Sequence, residues 1–139
     1  MKKTPLSKTG KKHTNEWHRK ECVKTAKLIT KHLAGYKCVN EGCNKSADQG
    51  YQMHGSHILP EGSHHRMSVE VVNIMCQCAQ HHMNWHENPL EQHEWFERTF
   101  PGVFASLNNM DKVFKTAYIK PDYKKMNEEL KERYKTLIN

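Results

Sequence analysis

The chain has 139 residues, enough for one domain with a modest core, and its 22 Lys and Arg outnumber 15 Asp and Glu to give a net charge of +7. An apolar share of 36% is lean, so a bound metal is a natural staple for the core, and the basic balance favours a polyanionic partner. No run approaches transmembrane length, no apolar stretch follows the Lys-rich start, and five cysteines clustered with histidines argue for zinc rather than disulfides. A soluble, intracellular, cytoplasmic protein with no membrane partner is expected.

Residues 1–13 (MKKTPLSKTGKKH) hold five lysines and no acid, which reads as a flexible basic arm. The remainder, 14–139, reads as a single α+β domain with a core at about 36–100 and a helical extension over 101–139. Over 15–33 a helix is predicted, because Cys22, Ala26, Ile29 and Leu33 fall on one face. Lys20, Lys24, Lys27 and Lys31 repeat that spacing, as a solvated face or, beside a nucleic-acid site, as a phosphate-contacting stripe. Gly35 suits the helix end.

Gly42 between Cys38 and Cys43 makes a turn able to aim two thiolates at one ion, and Asp48 to Gly50 is a second turn. Residues 51–58 are expected as a strand even though His54, Gly55 and Ser56 are poor strand formers, a mark of a site overriding local preference. A loop over 59–68 opens with Pro60 and Gly62, and the valine-rich residues 69–74 are expected as the second strand. A helix over 79–87 follows. Asn88 as N-cap, Pro89 at N1 and Glu91 at N3 start another that runs to Thr99 and stops at Pro101-Gly102. Shorter helical pieces are expected over 103–118. Tyr123, Met126, Leu130, Tyr134 and Leu137 then mark an amphipathic closing helix.

The stretch from His54 to His86 carries far more metal-ligating and acid–base residues than a core needs. His82 and His86 stand four apart on a helix and share a face, whereas His81 is rotated away by about 100°. His81 instead follows Cys78 by three residues. Cys38, Cys43, Cys78 and His81 therefore form a closed structural zinc site, with Cys76 as an alternative ligand. A second ion on His82 and His86 keeps positions open for water or substrate. The preceding strand supplies His57, a histidine off the metal and suited to act as general base, with Ser56 and His54 on one strand face nearby.

His57-Ile58-Leu59-Pro60, then Asn73, Cys78, His81, His82 and His86, resemble the HNH endonucleases of the ββα-metal superfamily. The similarity extends to the phage-type, zinc-containing subgroup that includes phage recombination nucleases, and it covers about Cys38 to Phe96. The resemblance implies a small ββα-metal core with a structural zinc, flanked by N- and C-terminal helices. It also implies hydrolysis of DNA phosphodiester bonds inside a host cell. In that likeness His57 is the base, Asn73 braces the loop behind it, and His82 and His86 hold a divalent cation such as Mg²⁺, Mn²⁺ or Ni²⁺. Arg66 stands in the loop where the family often has a phosphate-contacting Arg. The family residue before the base is usually Asp or His, and here it is Ser56, a poorer ligand, so Ser56 or His54 would complete the shell. Two imidazoles favour softer ions than Mg²⁺. A homodimer through the aromatic-rich helices after Asn88 is a further expectation. The competing readings are a catalytically silent zinc module that binds nucleic acid or protein, and a metal-storage or sensing protein.

Overall fold

The computed structural model describes residues 12–117 and 119–139, so the basic arm lies outside the described residues except at Lys12 and His13. The first helix, α1 (Asn15–Leu33), has the predicted bounds. Thr14 caps it by accepting a hydrogen bond from the Trp17 backbone N–H at 3.0 Å, and the His13 ring stacks on Trp17 at 3.6 Å. Cys22, Ala26 and Ile29 are fully buried, but Leu33 is 57% exposed. The last turn of α1 overhangs an open apolar groove that Leu33 shares with Val39, Val72 and Phe100, so the stripe ends one turn early.

Two antiparallel strands form the sheet: β1 (Met53–His57) and β2 (Ile74–Cys78), in register from Met53↔Cys78 to His57↔Ile74. The second strand is thus not over 69–74 as expected. Residues Met67–Val69 and Val71–Asn73 make two successive 3-10 turns, in which Val69 is buried and Val72 lies 58% exposed. β2 is buried at all five positions, the polar Gln77 included, because α1 and α2 both pack on the strand pair, so burial is continuous rather than alternating.

Helix α2 (Ala79–Glu87) begins where β2 ends, and α3 (Pro89–Thr99) follows after Asn88. Asn88 occupies the N-cap position without capping, since its amide donates to Asn84 Oδ1 instead. A left-handed Gly102, at φ +85°, turns the chain into α4 (Val103–Thr116). That segment is one helix rather than shorter pieces, because Val103, Phe104, Leu107, Met110 and Phe114 make one unbroken face against the core. The closing helix α5 (Tyr123–Ile138) packs along α1. Asn15 ties the two helix starts together, donating to Pro121 O at 3.2 Å and accepting from Tyr123 N at 3.4 Å.

The main core gathers Ile58, Leu59, Met67, Met75, Trp85 and Phe96 between the β1–β2 connection, the sheet and α2–α4. A second cluster of Cys22, Val23, Val69 and Tyr123 joins α1 to α5. Cys22 is a buried thiol that donates to Tyr123 O at 3.2 Å, and burial raises its pKa to about 11. Among the described residues no helix is long and apolar enough to cross a membrane.

Candidate functional site

One end of the sheet carries the cysteines. A bridge between Lys37 and Ser46 closes the Cys38–Cys43 turn, and Gly42 at φ +77° lets it double back. Cys78 ends β2 and stands at the α2 N-terminus, and His81 follows within the first turn. The ligand atoms of Cys38, Cys43, Cys78 and His81 all lie within 4.8 Å of one another. His81 Nδ1 is 3.4 Å from Cys38 Sγ and 3.3 Å from Cys78 Sγ. A tetrahedral zinc with its usual bond lengths places sulfur and nitrogen ligands about 3.5 Å apart, so the cluster can hold a structural metal ion such as zinc. Cys76 stays outside it as a buried apolar contact.

The electrostatics of the ligands set what a bound cation has to offset. Burial pushes the Cys38 thiol up to about 12. Burial also opposes ionisation of Cys78, yet the His81 backbone N–H and the thiols of Cys38 and Cys43 bring its pKa below the ordinary value. Three thiolates in one pocket repel unless a divalent cation neutralises them. Burial lowers the pKa of His81 and keeps its imidazole in the neutral, ligating form. Behind the cluster, the buried Asn40 Oδ1 accepts from the Cys38 thiol at 3.7 Å and from Gln77 Nε2 at 2.8 Å. Asn40 thus bears on Cys38 and Gln77 braces Asn40, and no sequence spacing had marked either amide.

At the other end of β1 a cleft of about 560 Å³ opens between α1, the β1–β2 connection and α2; Lys27, Gly55, His57, Glu61, His82 and His86 are among its walls. A larger cavity of about 900 Å³ lies between α4 and α5, lined mainly by apolar groups with Arg66, His65 and Asp111, and it holds none of the cleft histidines. His82 Nε2 lies 3.0 Å from His86 Nε2, the separation of two nitrogens bound at right angles to one ion at about 2.1 Å. The opposite nitrogen of His82, Nδ1, lies 2.7 Å from His54 Nδ1. His54 therefore meets the back of the His82 ring, so the three imidazoles do not converge on one point. Burial first, then His86 and His54, lower the His82 pKa to about 4, leaving it neutral at physiological pH. Ser56 is fully buried, its hydroxyl has no hydrogen-bond partner, and it is not part of the cleft wall.

His57 sits at the last position of β1 and is fixed on several sides. Trp85 Nε1 donates to its carbonyl at 3.1 Å, and its Nε2 donates to Ser68 O at 2.9 Å. Burial lowers its pKa; the Ser68 carbonyl and the Glu61 carboxylate push the other way, and the Lys27 charge adds to the lowering. Asn73, fully buried, organises the connection behind it. Its Nδ2 donates to Leu59 O and Met67 O, both at 3.1 Å, and its Oδ1 accepts from Leu59 N at 2.8 Å. The Asn73 carbonyl also accepts from Ile58 N at 2.8 Å, directly after the histidine.

The basic residues separate. Lys20 and Lys24 are exposed, and Lys24 pairs with Glu21 at 2.9 Å. Lys31 is half-buried, and only Lys27 of the four enters the cleft. Its stem crosses Gly55 so closely that a Cβ there would sit 2.5 Å from Lys27 Cγ. Arg66 does not reach the cleft: it pairs with Glu70 at 2.6 Å and stacks on Phe114 at 3.8 Å. Its place beside His57 is taken by residues the sequence reading passed over, Arg19, Glu61 and Ser68. Arg19 falls on the apolar stripe of α1, and an arginine there signals a buried partner.

No protein-family model, curated protein or solved structure matches this chain.

Proposed function

We propose that this chain is a metal-dependent endonuclease that hydrolyses DNA phosphodiester bonds, as its resemblance to the HNH enzymes implies. The observation that carries the reading is the setting of His57. A backbone carbonyl holds Nε2–H, which leaves the Nδ1 lone pair free beside a cleft that also holds the neighbouring nitrogens of His82 and His86.

His82 and His86 are the residues that would hold the catalytic cation, with water or substrate filling the other positions. The donor set fits: His82 is neutral, and His54 behind it can accept a hydrogen bond from Nδ1–H and so leave the Nε2 lone pair for the ion. When bound, a divalent cation supplies charge neutralisation at the phosphate and leaving oxygens. His57 Nδ1 takes a proton from the attacking water, and Asn73 keeps the connection that positions it from relaxing. Lys27 brings a positive charge to the cleft for the phosphate, and Lys20, Lys24 and Lys31 add sequence-independent affinity that weakens with salt. The Cys38–Cys43–Cys78–His81 cluster fixes the start of α2 and so the direction of His82 and His86.

Incubating supercoiled plasmid with the full chain in Mg²⁺, Mn²⁺ or Ni²⁺, and again in EDTA, tests the reading. Metal-dependent nicking is expected. The position of Ser56, away from the cleft and in place of an acidic ligand, favours a second reading, a silent zinc module that binds nucleic acid. DNA binding without nicking in any metal would establish that alternative.

A further inference from the structure

The Arg19 side chain is 4% exposed, and four of the five N–H groups of its guanidinium are hydrogen-bonded. Nε and Nη2 grip both oxygens of Glu16, at 2.8 and 2.7 Å, an arrangement that already neutralises the buried charge. Nη1 then does more than burial requires: it donates to Glu61 Oε2 at 3.0 Å and to Ser68 Oγ at 2.8 Å. Those two residues are the ones that flank the His57 ring. The Ser68 carbonyl holds Nε2, and Glu61 turns its other oxygen, Oε1, to within 4.0 Å of Nδ1. One guanidinium thus sets both edges of the imidazole.

A separation of 4.0 Å is too long for a direct hydrogen bond and suits one bridging water. A water about 2.8 Å from each atom would donate one proton to Nδ1 and the other to Oε1 at an angle near a right angle. Its lone pairs would then stay free of both groups. Both residues wall the cleft, and the Glu61 side chain is 37% exposed, so water has access.

We propose that Glu61, clamped by Arg19, shares the attacking water with His57 and orients it for hydrolysis; this rests on the endonuclease reading above. As the water oxygen bonds to phosphorus, the bond to the 3′ oxygen breaks and its electron pair leaves on that oxygen. One water proton passes to His57 Nδ1. The other remains on the new phosphate hydroxyl, hydrogen-bonded to Glu61. His57 returns its proton to solvent and the 3′ alkoxide takes one from solvent, so neither side chain is consumed.

The test uses the full, zinc-loaded chain and compares wild type with Glu61→Gln and Glu61→Ala in saturating Mn²⁺. Glu61→Gln retains a carbonyl for Arg19 but loses the charge. It should lower kcat by about 10²-fold, the scale of a misplaced reactant. KM, DNA affinity in EDTA, thermal midpoint and the Mn²⁺ concentration for half-maximal rate should stay within twofold of wild type, or within a few degrees for the midpoint. Added formate should restore part of the Glu61→Ala rate, because the cleft admits a small carboxylate. Undiminished kcat in Glu61→Gln overturns the proposal. So does a loss that follows a fall in thermal midpoint, a shifted Mn²⁺ dependence, which would make Glu61 a metal ligand, or a failure of formate to rescue. Wild type that nicks no DNA in any metal sinks the endonuclease reading itself, whereas an active wild type with an equally active Glu61→Gln sinks this inference alone.

Discussion

The carbonyl oxygen of Ser68 lies 2.9 Å from Nε2 of His57, and this contact decides which ring nitrogen is free for chemistry. A carbonyl only accepts, so the neutral ring carries its proton on Nε2 and its lone pair on Nδ1. His57→Ala removes that lone pair. Nicking should fall by about 10²- to 10⁴-fold, the usual worth of a positioned base, while zinc content and DNA affinity hold. Plasmid conversion at the wild-type rate would show that another group activates the water.

The same ring gives the pH dependence a sign. Burial lowers the His57 pKa beneath its ordinary 6.5, so the neutral base persists below that pH. The rate is fully present above the folded pKa and lost as pH falls through it, which puts the acid limb below 6.5. Stability follows the same direction: below 6.5 the unfolded chain takes up a proton that the folded one resists, and folding weakens as pH drops. Single-turnover rates across pH at saturating metal measure the limb. A midpoint above 6.5 would mean that the titrating base is not this buried ring.

Features with local causes were legible in the sequence. The α1 bounds followed from periodicity and a capping residue, and the 3.6-residue period was enough to send His81 and His82 to different clusters. Features with distant causes were not. Valines at 69, 71 and 72 have strand propensity, but an amide at position 73 binds carbonyls at 59 and 67 and draws the segment into 3-10 turns. Arg19 meets Glu61 and Ser68 across more than forty residues of chain, a separation that no spacing rule reaches. Arg66 sits in the expected loop, but the fold of that loop sends it to Phe114 rather than to the histidines.

Asn73 should be the costliest single amide in the chain to remove. Asn73→Ala leaves Leu59 N and Leu59 O without their partners in a buried setting, and takes from Met67 O one of its two donors, the other being Glu70 N. With about 1–3 kcal/mol for each uncompensated group and partial relaxation, a loss of about 3 kcal/mol is expected in urea unfolding. Asn73→Asp should be at least as damaging, because a carboxylate oxygen would face two carbonyls that need donors. A change under about 0.5 kcal/mol would mean that the connection holds its shape without the amide.

The Cys38, Cys43, Cys78 and His81 cluster predicts a metal content that single substitutions separate. Elemental analysis of the purified wild type should find one tightly held zinc per chain. Cys78→Ser removes a thiolate and the ligand that joins β2 to α2. It should abolish zinc retention and lower the thermal midpoint by more than about 10 °C, since structural zinc contributes directly to folding. Cys76→Ser changes a thiol two residues away that is just as buried but lies outside the cluster. It should keep the full zinc complement and cost only about 1–2 kcal/mol for burying a hydroxyl. Equal zinc loss in both variants would mean that Cys76 belongs to the ligand set, and full zinc retention in Cys78→Ser would remove Cys78 from it.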